Sequence, residues 1–284
     1  MKRNVIRRKV LELRSGADIE PDPRDGGVQS VDRALSIIET LAEDDEGYRL
    51  TDLAVRTGLS TSTVHRLLAT LEKRRFVHFD RHESKWHVGA QSFSVGATFA
   101  RRRNFTAQAM PYLRKLRDQT RETANLAVVD DEAIIVLTRI ESREIMRSLT
   151  KVGGRVAMVA SGVGKAVLAT YSDEDVNAII CRQGMPRLTE KSIVRPGELF
   201  RELQAVRRRG YAIDDEEARI GLRCIAAVVY NDCSEPLAAI SVSGMTSRIT
   251  DERLPVLGCI VRAVAAELTV VLGGVMPQAV EAVG

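Results

Sequence analysis

The 284-residue sequence predicts an α+β protein in two parts: a small helical unit closed by a β-hairpin, then a larger antiparallel sheet with helices packed on it. Three observations carry this. Apolar residues recur at helical spacing through 28–73, alternate through 76–89, and beyond residue 105 form strand-like runs flanking a helical middle. A hydrophobic content of 44% and a charged content of 28% belong to an ordinary globular chain, and the length is that of about two domains.

Residues 1–27 hold a basic cluster and then "PDPRDGG", a structure-breaking stretch, and read as a disordered arm. "VQSVDRALSIIETLAE" is a helix with Val31, Ala34, Leu35, Ile38 and Leu41 on one face and Ser30 as cap. "GYRLTDLAVRTGLS" is a short helix capped by Thr51 and ended by Gly58, with Leu59 anchoring the turn that follows. In "GLSTSTVHRLLATLEKRR", Ser60 caps a helix whose Val64, Leu67, Leu68 and Leu71 make a core stripe. The opposite face carries Ser62, Arg66, Ala69 and Lys73, flanked by Thr63 and His65. Two short helices about a glycine turn form a helix-turn-helix, whose second helix is the one that enters a major groove.

"FVHFDRHESKWHVG" alternates Phe76, His78, Trp86 and Val88 about a polar turn at 81–85, a hairpin that makes the unit a winged helix over 28–90. A helical stretch at 91–104, closing on Arg101, Arg102 and Arg103, links it to the part spanning 105–284. That part opens with a helix, "TAQAMPYLRKLRDQTRE". Strands are expected at "ANLAVVD", "AIIVLTRIE" and "IMRSLTKVG", then helices at "SGVGKAVLATY", "SDEDVNAIICRQ" and "PGELFRELQAVRRRG". "LRCIAAVVY" and "LAAISVSG" flank the turn "NDCSEP", and a long helix over 250–272 follows.

Charge is segregated. Residues 1–103 hold 19 Lys and Arg against 15 Asp and Glu, while 104–284 hold 23 of each, so the whole net charge of +4 lies in the first part. A basic small unit beside a neutral large one implies a nucleic-acid module attached to a regulatory domain. Arg66 is the candidate for guanine readout, with Ser62, Thr63 and Lys73 in the groove and Thr61 and Arg49 on phosphates.

Several chemistries are excluded. "GVGK" has Val159 and Ala166 where a P-loop needs glycine and a hydroxyl, and G-x-S-x-G is absent. All four histidines, His65, His78, His82 and His87, lie in the small unit, so a Cys224 or Ser241 nucleophile would lack a histidine base from its own domain. The histidines have no convergent carboxylate or cysteine pattern, so neither a metal nor a cofactor is expected. Cys181, Cys224, Cys233 and Cys259 are dispersed and suit reduced thiols. No apolar run of membrane length and no cleavable leader is read, so a cytoplasmic protein without a membrane is expected.

"VQSVDRALSIIETLAE", "LTDLAVRTGLSTSTVHRLLATLEKRRFV", "SGVGKAVLA", "RRRGYAIDDEEARIGLRCIAA" and "LAAISVSG" together resemble the IclR family of bacterial transcriptional regulators over 28–272. The resemblance implies a GAF-like effector-binding domain and assembly as dimers or dimers of dimers on palindromic operator DNA. It also implies a ligand pocket over the sheet, lined by Gly162, Val163, Asp214, Leu222, Cys224, Ser241 and Ser243. "GLRCIAA" with "AISVSG" most resembles members that bind glyoxylate, and related regulators sense aromatic acids. Ser241 and Ser243 share one strand face, so two hydroxyls can reach one carboxylate of a small 2-oxo acid.

Overall fold

The computed structural model describes residues 27–102, 105–130, 133–142 and 151–277. The expected arm lies outside them except for Gly27, as does most of the strand expected at 145–153. The chain divides into two compact units, Met1–Arg103 and Asn104–Gly284.

The first unit contains α1 (Gln29–Leu41), α2 (Leu50–Thr57), α3 (Thr61–Lys73), the hairpin β1 (Val77–Asp80) and β2 (Lys85–Val88), and α4 (Ala90–Arg102). Its core is Ile37, Leu41, Tyr48, Leu53, Val64, Leu68, Val77 and Trp86. Gly58 closes α2 at φ +67°, a left-handed position natural to glycine, and Leu59 packs against the core. The helix-turn-helix angle therefore rests on one glycine and one leucine.

Three local expectations are corrected. Val28, not Ser30, stands at the N-cap of α1, and its buried face is rotated by roughly 60° toward Ile37, leaving Val31 and Leu35 about half exposed. Arg49, not Thr51, precedes α2; Thr51 already lies in its first turn. In the hairpin the inward residues are Val77, Phe79 and Trp86, whereas His78 faces out, because β1 starts one residue later than the alternation suggested. Trp86 also bridges Tyr48 through two backbone hydrogen bonds, which ties the wing to the helices.

The second unit contains α5 (Phe105–Thr120), β3 (Thr123–Asp130), β4 (Ala133–Ile140), β5 (Arg155–Val156), α6 (Gly162–Leu168), α7 (Asp173–Gln183) and α8 (Pro196–Arg209). β6 (Ala212–Asp215), β7 (Leu222–Tyr230), β8 (Pro236–Met245) and α9 (Arg253–Val271) complete it. The six strands run in the order β5-β4-β3-β8-β7-β6, and every neighbouring pair is antiparallel. The short strands β5 and β6 were not foreseen.

Each sheet face has its own apolar layer. Leu113 and Leu116 of α5 and Leu257, Val261 and Leu268 of α9 cover one, with Leu126, Ile225 and Ile240 beneath them. Val163 and Val167 of α6, with Leu199 and Leu203 of α8, cover the other above Ala127, Ala226 and Ala239. The alternation of β7 and β8 supplies both layers at once, which is why their sequences read as nearly continuous apolar runs. Contrary to the expectation from the sequence, α9 has the length and composition of a membrane span, at nineteen residues and a mean hydropathy of 1.9. Its apolar side nonetheless lies on the sheet, against β7.

Candidate functional site

Two polar surfaces stand out, one in each unit. On α3, Ser60 caps the helix: its Oγ accepts from Thr63 N at 3.3 Å and lies 3.1 Å from Ser62 Oγ and 2.9 Å from Thr63 Oγ1. Val64 and Leu68 bury the opposite side, so Thr61, Ser62, His65, Arg66, Ala69 and Lys73 are exposed along one face. Thr63 is half-buried, its hydroxyl engaged with Ser60. Arg66 and Lys73 make no ion pair among the described residues, and Arg49 is exposed at the start of α2. The result is a cationic, hydroxyl-rich helix face on a small basic unit.

In the second unit a polar patch occupies one end of the face beneath α6. Cross-strand register sets Asp214 of β6 beside Cys224 of β7, and Cys224 beside Ser243 of β8. Ser241 pairs with Asn125 of β3, whose Nδ2 lies 3.3 Å from both Ser241 Oγ and Ser243 Oγ. Gly162 lies directly above: a Cβ there would come 3.1 Å from the Cys224 carbonyl oxygen and 3.3 Å from its sulfur. Ser161 caps α6 by accepting from Gly164 N at 3.0 Å, which leaves the N–H groups of Gly162 and Val163 without intrahelical acceptors, as at any helix start. Leu222 begins β7 at the border of the patch. Of the seven residues expected to line a pocket, Gly162, Asp214, Cys224, Ser241 and Ser243 are thus brought together, while Val163 and Leu222 adjoin them along the chain.

Sequence reasoning missed the charged group beside them. Lys165, fully buried, donates to Glu217 Oε1 and stands 4.0 Å from Glu202 Oε1. The other Glu217 oxygen, Oε2, is buried without a partner among the described residues. "GVGK" carried the signal, but as a failed P-loop rather than as a lysine drawn inward to meet an acid. Asn125, a lone polar residue in a strand-like run, carried none.

Electrostatics here follow from burial. Asp214 is pushed up to about 7, first by burial and then by the Glu217 charge; Lys165 and the N–H groups of Ala218 and Glu217 oppose the shift. Near neutral pH, Asp214 is therefore divided between its protonated and ionised forms. Burial also raises Glu217 against the pull of Lys165. The Cys224 thiol is raised to about 11 by burial and by Asp214, with the neighbouring Ser243 and Ser241 hydroxyls opposing the shift. A thiol held neutral in this way is a poor nucleophile. Hydroxyl, amide and acid groups thus lie side by side on this part of the sheet.

Comparison with known proteins joins the two surfaces. Residues 30–81 match the model described as the IclR helix-turn-helix domain, and residues 97–270 match that of the bacterial transcriptional regulator IclR C-terminal. The chain belongs to the IclR family. It is 42% identical to the acetate operon repressor of Salmonella typhimurium over 89% of this chain and 93% of that one. It is 32% identical to the HTH-type transcriptional repressor AllR of Escherichia coli K12, over 87% and 91% respectively. A crystal structure of a regulator from Alicyclobacillus acidocaldarius, 26% identical, superposes with a TM-score of 0.72 over 87% of this chain and 100% of that one. As an IclR-family member the chain is a ligand-responsive DNA-binding transcriptional regulator, and its family binds DNA and small-molecule effectors as oligomers. Relatives are named as repressors and regulators rather than enzymes. Among the described residues, no three His, Cys, Asp or Glu side chains gather as a metal set.

Proposed function

We propose that this IclR-family regulator senses a small 2-oxo acid, glyoxylate, and binds a palindromic operator as a dimer or dimer of dimers in the cytoplasm, with α4 as the link between its two domains. One observation supports the ligand class above others: the strand register sets Asp214, Cys224 and Ser243 side by side, with Ser241 on the same face and the start of α6 packed against Cys224. Two hydroxyls, an acid that is half protonated at neutral pH and the first N–H groups of α6 suit a carboxylate with an adjacent carbonyl, and the buried surroundings suit a small one. Calorimetry tests this. Wild-type protein gives a saturable heat with glyoxylate, and Ser241→Ala weakens it about tenfold, the value of a hydrogen bond to a charged group. Heat from 4-hydroxybenzoate with none from glyoxylate would replace the small acid by an aromatic one.

On DNA, α3 enters the major groove with Ser62, Thr63, Arg66 and Lys73 toward the bases, while Thr61 and Arg49 meet phosphates and the wing follows the adjacent groove. Arg66→Ala costs roughly 1–3 kcal/mol in operator affinity and relaxes one base position. Gel retardation on a library of operator variants reads both effects, and an unchanged sequence preference rejects Arg66 as the reader.

A further inference from the structure

Helix α9 is apolar on every side. Arg253, Arg262 and Glu267 are its only charged residues, and the fold uses one flank of it, where Leu257, Val261 and Leu268 lie in the core. The opposite flank carries Val256, Cys259, Ala263, Ala266 and Val270, spaced alternately three and four residues apart. Val256 is 60% exposed and Val270 69%, Cys259 and Ala263 are exposed, and Ala266 is half-buried. That spacing is the seam of a two-stranded coiled coil, and a helix apolar all round belongs in an interior.

Charge says what covers the seam. On a helix of about 3.6 residues per turn, Arg262 and Glu267 stand on its opposite borders. Arg262 makes no ion pair among the described residues; one of its N–H groups donates to the Arg209 carbonyl, and the guanidinium keeps others. Glu267 accepts from Lys115 Nζ at 2.7 and 2.6 Å, and its carboxylate has lone pairs left for a second cation. In a parallel coiled coil, border residues placed in this way meet across the pair, so Arg262 faces the partner's Glu267 and the twofold axis makes the contact twice. In an antiparallel pair each border meets its own kind, and neither charge finds its opposite. We infer that α9 packs in parallel on α9 of a second copy along this seam, with Arg262 and Glu267 setting direction and register, an inference that rests on the dimer-or-dimer-of-dimers reading and names one of its surfaces. The small Cys259, Ala263 and Ala266 let the two axes approach closely, and the valines close the ends.

The test uses the full chain with Cys181→Ser and Cys233→Ser, which removes the other exposed thiols, and copper phenanthroline as oxidant. Parallel register sets Cys259 against the partner's Cys259, so the oligomer gives a Cys259–Cys259 disulfide, read by peptide mass spectrometry. Arg262→Glu or Glu267→Arg slows its formation about tenfold or more, because each places like charges together twice, and combining the two restores it, a rescue that a folding defect does not give. Sedimentation velocity counts the copies. An oligomer that forms no such disulfide and is indifferent to both reversals assembles through other surfaces; it overturns the inference and leaves the assembly reading standing. A disulfide from Cys259 to the new thiol of Val270→Cys, in place of the symmetric one, shows antiparallel pairing and also overturns it. Flotation with phosphatidylcholine vesicles and no disulfide gives the flank to a membrane instead. A chain that stays monomeric at every concentration takes both readings down together.

Discussion

Replacing Lys165 by methionine will cost the second unit about 3–5 kcal/mol, the penalty for leaving a buried carboxylate without its counter-charge. Lys165 is fully buried and donates to Glu217, whose second oxygen already lacks a partner among the described residues. With the lysine gone, Glu217 must either keep an uncompensated charge or take up a proton far from its usual range. Methionine preserves most of the volume, so cavity formation adds little. Urea unfolding followed by far-UV circular dichroism reads the loss. Trp86 provides an internal control, because the single tryptophan sits in the first unit's core and its fluorescence transition should not move. Pairing Lys165→Met with Glu217→Gln should recover much of the loss, since the charge is then removed together with its partner. A Lys165→Met transition within 1 kcal/mol of wild type, on the order of a surface pair, would refute the buried ion pair.

Asp214 gives the second large effect, and it depends on pH. Its folded value of about 7 lies above the ordinary 3.8, so the folded state binds this proton more tightly than the unfolded chain. That contribution is fully present below about pH 4 and is lost as pH rises through 7. Wild-type stability should therefore fall between pH 5 and pH 8 by an amount on the order of 2–4 kcal/mol. Asp214→Asn keeps the oxygen that accepts from Glu217 N and Ala218 N but cannot ionise, so its profile over that window should flatten. Glu217 is raised by burial in the same sense, and what slope survives in the variant belongs to it. Parallel profiles for wild type and Asp214→Asn would remove the elevated acid from the description of the site.

Much of this architecture was legible in the residues. The Ser60 cap and Gly58 turn could be read because each is a local matter, decided by one hydroxyl or one left-handed backbone position. The β7–β8 hairpin could be read because "NDCSEP" interrupts two long apolar runs. What failed was phase. In α1 the apolar residues Val31 and Leu35 extended the stripe past the true core, and only the position of α2 and α3 decides that Ile37 is the innermost side chain. β6 was hidden in an acidic stretch because its identity as a strand depends on pairing with β7 rather than on its own composition. The polar patch beneath α6 was legible only by family resemblance. Lys165, Glu217 and Asn125 are ordinary polar residues whose importance arises when distant segments bring them together.

The strand order has a mechanical consequence for that face. Ser241, Ser243, Asn125 and Cys224 lie on β8, β3 and β7, each laced to neighbours on both sides, and so form a stiff floor. Asp214 instead rides on β6, a four-residue outer strand hydrogen-bonded along one side only. Its following turn is tethered by side chains, through Thr189 to Glu216, Ser192 to Glu217 and Lys191 to Glu216. Deformation therefore costs less along β6 than in the floor, and what holds that edge in place is the set of side-chain tethers on the turn that follows it.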